Sequence, residues 1–205
     1  MDILWNENQI DITVNLIDID YNINYKEGGN YKLYTDYLHV GLGWDYDSSN
    51  TYDLDSSVLT FDSNLYNLDK VNFQQLSIYN SDIILNGDDL TGAGEGDDEE
   101  IRIRLNSLPS DVQIFTVQIN SYLNKSLKDV KSAFIRLSTY DEVIGTYSIN
   151  EAGDSIGLLI GCFSKGSSNG KTGWYFRPLN RVIPGTVVTG SVSSIQEILR
   201  AIFGW

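Results

Sequence analysis

The sequence predicts an all-β protein: a β-sandwich with short helical additions, including a C-terminal amphipathic helix. Short runs of alternating apolar and polar residues recur along the 205-residue chain, separated by Gly, Asn, Asp and Ser turns. Their close spacing suits a sandwich better than alternating strands and helices. The apolar content is only 41%, but 13 Tyr, 7 Phe and 4 Trp supply bulky core material for one large β domain.

Taken in order, residues 1–20 read as an N-terminal strand extension. Ile10, Ile12, Val14 and Leu16 alternate on one face, then Ile17, Ile19, Tyr21, Ile23 and Tyr25 take over in the opposite phase. A β-bulge or a turn produces such a switch. Asp18 and Asp20 fall on its polar side and are read as solvent-facing. The main domain, 21–190, contains strand-like runs at 33–43, 58–61, 76–79, 101–105, 112–119, 133–137, 143–149, 156–163 and 174–179. Ser126-Leu-Lys-Asp129 can start a short helix with Ser126 as N-cap. The tail, 191–205, carries the capping box Ser194-Ile-Gln-Glu197 and an apolar stripe of Ile195, Ile198, Leu199, Ile202 and Phe203. Packing of this helix on the sandwich is preferred over partner binding. No Pro- or Ser-rich linker isolates it.

Charge is concentrated in one place. The 28 acids exceed the 14 bases, for a net charge of −14. The segment Gly87-Asp-Asp-Leu-Thr-Gly-Ala-Gly-Glu-Gly-Asp-Asp-Glu-Glu100 holds seven acids and no cation. Its acids are Asp88, Asp89, Glu95, Asp97, Asp98, Glu99 and Glu100. Gly92 and Gly94 let carbonyl oxygens turn inward beside these carboxylates, and Thr91 adds a hydroxyl. Hard cations of the calcium type take six to eight oxygens at about 2.3–2.6 Å. A solvated acidic loop is the alternative. The flanking runs Ile83-Ile84-Leu85 and Ile101-Arg-Ile-Arg-Leu105 read as strands that hold the loop's ends, so repulsion cannot relax by spreading. A calcium-binding loop is therefore expected.

It is not an EF-hand. A frame begun at Asp89 finds Gly94, Asp97 and Glu100 in place, but Thr91 and Ala93 stand where that motif wants acids or amides. Further ligands must come from elsewhere. Asp53 and Asp55 in Asp53-Leu-Asp-Ser-Ser57 project together at strand spacing, and Asp is disfavoured in strands without a reason. Asp45, ending Gly41-Leu-Gly-Trp-Asp45, and Asn80, after Ile78-Tyr79, are additional candidates.

In combination, Gly41–Asp45, Asp53–Ser57, Ile78–Asn80 and the 87–99 loop resemble the signature of the TerD family, the tellurite-resistance and stress-associated domain. Lys26-Glu-Gly-Gly-Asn30, Leu108-Pro-Ser-Asp-Val112, Ala133-Phe-Ile-Arg-Leu137 and Gly161–Arg177 extend the match over about residues 21–190. The resemblance implies a calcium-binding β-sandwich with more than one metal position and no established catalytic activity. It implies ligands among Asp53, Asp55, Asp88, Asp89, Asp97, Asp98 and Glu99. The chain departs from the family at Ile119-Asn-Ser-Tyr-Leu123, where an acidic segment is usual, and at Val71-Asn-Phe-Gln-Gln75, which lacks the usual acidic pair.

The expected function is that of a stress-response sensor or binding module, or else an interaction module in which calcium is purely structural. A protein partner would meet the C-terminal helix or the calcium-ordered loop. The negative charge argues against nucleic acid as a bare partner. No run of eighteen apolar residues exists, so no transmembrane segment is expected. The N-terminus has no signal-peptide pattern and one cysteine allows no internal disulfide, which suits the cytoplasm. No enzyme is expected. His39 and Cys162 lie in no nucleophile motif. Lys165-Gly-Ser-Ser-Asn-Gly-Lys-Thr172 imitates a phosphate loop but has Lys165 in place of the first glycine, with a strand-like run after it, so a hairpin turn is expected.

Overall fold

The structure, a computed structural model, describes residues 3–4, 31–47, 49, 51–140, 143–168, 171–186 and 190–204. The phase switch expected over 10–25, with Asp18 and Asp20, lies outside the described residues. Among the described residues thirteen strands form: β1 (Ile3–Leu4), β2 (Tyr31–Lys32), β3 (Tyr37–Gly43), β4 (Leu54–Phe61), β5 (Asn67–Val71), β6 (Ser77–Ile78) and β7 (Ile83–Leu85), then β8 (Glu99–Arg104), β9 (Ile114–Ser121), β10 (Phe134–Ser138), β11 (Val143–Ser148), β12 (Gly157–Ser168) and β13 (Lys171–Val182). One helix follows, α1 (Ser191–Phe203).

Two sheets stack face to face. The first runs β2-β13-β12-β9-β4-β5, and β1 adds parallel to the far end of β12. The second runs β11-β10-β3-β8-β7-β6. Every strand pairing except that of β1 is antiparallel. Between the sheets, Leu38, Val40 and Leu42 of β3 and Ile101 and Ile103 of β8 meet Val58 of β4 and Val117 and Ile119 of β9. The alternation of β8, with Arg102 and Arg104 outside, follows directly from this one-sided burial.

All eight residues of β4 and all eight of β9 are buried. The cause is a third layer. Ile195 and Leu199 of α1 pack on the outer face of the first sheet against Leu59, Phe61, Ile114, Leu159, Cys162 and Leu179. The helix begins one turn before the expected capping box. Gly190 is its N-cap, and Ser191 Oγ donates to the Pro184 and Gly185 carbonyls. The short helix expected at Ser126 is a single 3-10 turn, Leu127–Asp129, and the Ser126 hydroxyl donates to the Gly153 carbonyl rather than capping it. Lys165–Ser168 and Lys171–Thr172 are the facing ends of β12 and β13, so the segment is a hairpin. Among the described residues no helix is long and apolar enough to cross a membrane.

This arrangement gives the sandwich two unlike ends. The acidic loop joins β7 to Glu99 at one end; the turn after β8, Leu105–Ser107, closes the other.

Candidate metal centre

The acidic loop is held by glycines that permit close approach. Gly41 of β3 is a bed for Asp97, whose carboxylate a Cβ there would strike. Gly92, at φ +65°, lies against the Trp44 indole with no room for a side chain. The Asp98 amide donates to the Leu42 carbonyl (2.8 Å), and Asp98 Oδ2 accepts from the Trp44 amide (2.8 Å). Asp89 folds the start of the loop by accepting from the Thr91 amide (2.7 Å), the Thr91 hydroxyl (3.1 Å) and the Gly92 amide (2.7 Å).

The loop faces an unpaired stretch of strand edge. β5 pairs only with Val58–Phe61, so among the described residues the first half of β4 has no strand on that side. Glu99 fills the gap. Its Oε2 accepts from both the amide and the hydroxyl of Ser56, each at 2.7 Å. Oxygen atoms of Asp55, Asp88 and Glu99 then lie within 4.8 Å of one another. Glu99 is 1% exposed and Asp55 6%. Asp53 Oδ1, Asp55 Oδ2, Asp97 Oδ1 and Glu99 Oε1 are buried with no hydrogen-bond donor.

The electrostatics follow. Burial, with the charges of Asp55 and Asp88 adding, pushes Glu99 up to about 8 against its Ser56 hydrogen bonds. Burial, then the charges of Asp53 and Asp88, push Asp55 up to about 7. Burial and the charges of Asp88 and Asp89 push Asp53 up to about 6. Asp98 is raised by burial and by Asp89, Asp97 and Asp45. Asp89 alone among these goes down: burial pulls it up, but the Thr91 and Gly92 donors outweigh that. Buried anions without counter-charge are unstable, and a proton or a cation relieves them.

The expected ligands therefore divide. Asp55, Asp88 and Glu99 converge, with Asp53 feeling the charges of Asp88 and Asp89; Asp98 feels those of Asp89, Asp97 and the exposed Asp45, while Thr91 and Gly92 bond Asp89 and Gly94 lies beside Asp98. Asp97 stands between these acids and an ion pair, because its Oδ2 meets Arg136 Nη2 at 2.6 Å. Asn80 is not brought in. It occupies a left-handed turn (φ 53°, ψ 38°) at the Arg104 end of β8, where the Arg104 amide bonds the Asp82 carbonyl. Sequence reasoning missed Ser56, the Trp44 amide and Arg136. Ser56 directly follows the Asp53-x-Asp55 pair, but its backbone role depends on where β5 stops. Asn120, at a position where the chain departs from its family, lies opposite Asp55 on β9 and donates to the Gly185 carbonyl.

His39 and Cys162 form no pair. His39 lies between Ser138 Oγ (3.0 Å) and Glu100 Oε1 (3.0 Å) on the outside of the second sheet, while Cys162 is buried under α1. Burial pushes that thiol up to about 12.

Fold and site together define a β-sandwich whose acidic glycine loop folds onto an open strand edge. Residues 22–187 match the model of the TerD domain, and the chain belongs to that family. Tellurium resistance protein TerZ of Serratia marcescens is 29% identical over 170 residues, spanning 77% of this chain and 86% of its own. Tellurium resistance protein TerD of the same organism is 33% identical over 158 residues, 71% of this chain and 80% of that one. The crystal structure of a homologue of telluride resistance protein TerD from Streptomyces coelicolor aligns with a TM-score of 0.66 at 19% identity, over 75% of this chain and 93% of that chain. At that identity the likeness shows the fold alone.

Proposed function

We propose that the protein is a calcium-binding module without catalytic activity, acting as a sensor in a cytoplasmic stress response. One observation carries the reading: buried carboxylate oxygens without donors converge from the β4 edge and from β8. The donor set is all oxygen, with neither His nor Cys, which suits a hard cation. Asp53, Asp55, Asp88 and Glu99 would hold one ion. Asp89, Asp98 and Asp45, with Thr91 and the Gly92 and Gly94 carbonyls, offer oxygens to a second. A bound cation supplies the charge that cancels their repulsion, tying the loop to β4 and ordering a surface for a protein partner. The loop suits that role better than α1, whose Ile195 and Leu199 are already buried. The relatives' tellurium-resistance names support a stress setting, and a single buried cysteine suits the cytoplasm.

The depth of Glu99 favours a second reading, in which calcium is permanently part of the sandwich and purely structural. Affinity separates the two: a sensor binds at about 10⁻⁷ to 10⁻⁵ M. Thermal unfolding of chelator-stripped protein tests both. Calcium at a hundred times its dissociation constant adds about 2.7 kcal/mol per site, roughly 5–10 °C for a chain of this length. Magnesium should add much less. No shift with either ion would leave the loop a solvated surface.

A further inference from the structure

We propose that the cleft at the other end of the sandwich binds a small organic oxyanion, a carboxylate or a phosphate ester, through Lys165. This site is independent of the acidic loop. Leu105 lies six positions along the chain from Glu99, roughly 20 Å at strand rise.

The cleft lies where the β12–β13 hairpin passes the start of β9: their pairing ends at Ser164, the Lys165 amide still donates to the Gln113 carbonyl (2.8 Å), and β1 takes the β12 edge at Gly166 and Ser167. The turn after β8 forms the opposite wall, and the Trp174 indole N–H donates to the Leu105 carbonyl across the gap (3.2 Å). The cleft is open to solvent and offers about 310 Å³, the lower end of the range for small-molecule sites. Leu105, Leu108 and Trp174 make its apolar wall.

The polar groups favour an anion. Lys165 is the cation in the lining, and no acid lines the cleft among the described residues, in a chain where acids outnumber bases two to one. The Lys165 side chain is half-buried, 5.2 Å over the Trp174 ring. Its ammonium donates to the Pro109 carbonyl (3.1 Å). An ammonium has three donors, so two remain for a ligand. Burial lowers the Lys165 amine although the charge of Asp111 opposes this, in keeping with a cation that lacks an anionic partner at hydrogen-bond distance. Asn106, Gln113 and Thr172 also line the cleft and carry donor groups. An oxyanion on Lys165 with its apolar body along Leu105 and Leu108 satisfies both walls. The Lys165–Thr172 segment thus recognises the anion through side chains lining a hairpin, not through a phosphate-loop backbone.

The test is amide and indole N–H spectroscopy of the full chain, titrated with benzoate, phenyl phosphate and the neutral benzamide. The Trp174 indole reports on the cleft. The Trp44 indole, bonded to the Tyr52 carbonyl at the acidic end, is the control. Both anions should shift Trp174 and leave Trp44 unmoved, and benzamide should shift neither. Lys165→Gln should weaken the anions at least about tenfold, the loss of one charge-assisted hydrogen bond, while the rest of its spectrum confirms the fold. An unmoved Trp174 at millimolar anion, an equal response to benzamide, or unchanged affinity in K165Q would each overturn the proposal.

Discussion

Replacing Glu99 by Gln should stabilise the protein without calcium and destabilise it with calcium. Gln keeps the shape and can still accept the two Ser56 hydrogen bonds, so the change isolates the charge. In the metal-free fold the Glu99 carboxyl is raised from 4.5 to about 8 by burial and by Asp55 and Asp88. At pH 7 the unfolded chain ionises this group freely and the folded chain does not. At 1.36 kcal/mol per pH unit between 4.5 and 7, the cost is on the order of 1–3 kcal/mol once partial relaxation is allowed for. E99Q removes that cost, so its melting temperature in chelator should rise by roughly 3–10 °C. In saturating calcium the order should reverse, because the variant would lack a proposed ligand and with it much of the roughly 2.7 kcal/mol per site gained at a hundredfold excess over the dissociation constant. Differential scanning calorimetry in the two buffers reads both signs. Equal destabilisation in chelator and in calcium would refute the reasoning and make Glu99 only a hydrogen-bonded plug in the β4 edge.

The same electrostatics set a pH dependence. Asp53, Asp55 and Glu99 hold protons more tightly folded than unfolded. Their contribution to metal-free stability should therefore be full below about pH 4 and fall as pH rises toward about 8, while saturating calcium, taking the place of the protons, should flatten the curve in urea titrations. Gly92→Ala puts a Cβ into the Trp44 indole at φ +65°, and should cost about 2 kcal/mol or more while weakening calcium binding; unchanged calorimetry would contradict the loop packing. Leu199→Ala empties the contact between α1 and the first sheet and should cost about 2–5 kcal/mol, with calcium affinity unchanged because Leu199 packs in the apolar cluster of Leu59, Phe61 and Leu159.

Much of this was legible in the residues themselves. The alternation at 101–105 locates β8 because only one face of the second sheet is buried. The acidic loop between two strand-like runs locates one side of the carboxylate cluster, and the Asp53-x-Asp55 spacing locates the strand that faces it. Other features depend on contacts between distant segments. The continuous burial of β4 and β9 reflects α1 on their outer face, which periodicity within either strand cannot show. Ser194 and Glu197 spell a capping box, yet Ser191 is held by the Pro184 and Gly185 carbonyls, and tertiary contact moves the helix start back one turn. Asn80 followed a strand-like run as Asp45 did, but it lies at the opposite end of its hairpin from the loop. Which end of a strand faces a site is decided by pairing direction, a property of the sheet. The partnership of Arg136 with Asp97 likewise exists only because β10 lies beside β3.

Calcium titration of chelator-stripped protein by isothermal calorimetry addresses the proposed metal centre most directly. At least one site in the micromolar range or tighter should appear, selective over magnesium, and should be lost in Asp55→Asn without loss of fold. Wild-type protein that takes up no calcium, or an Asp55→Asn variant that binds as well as wild type, would contradict the assignment.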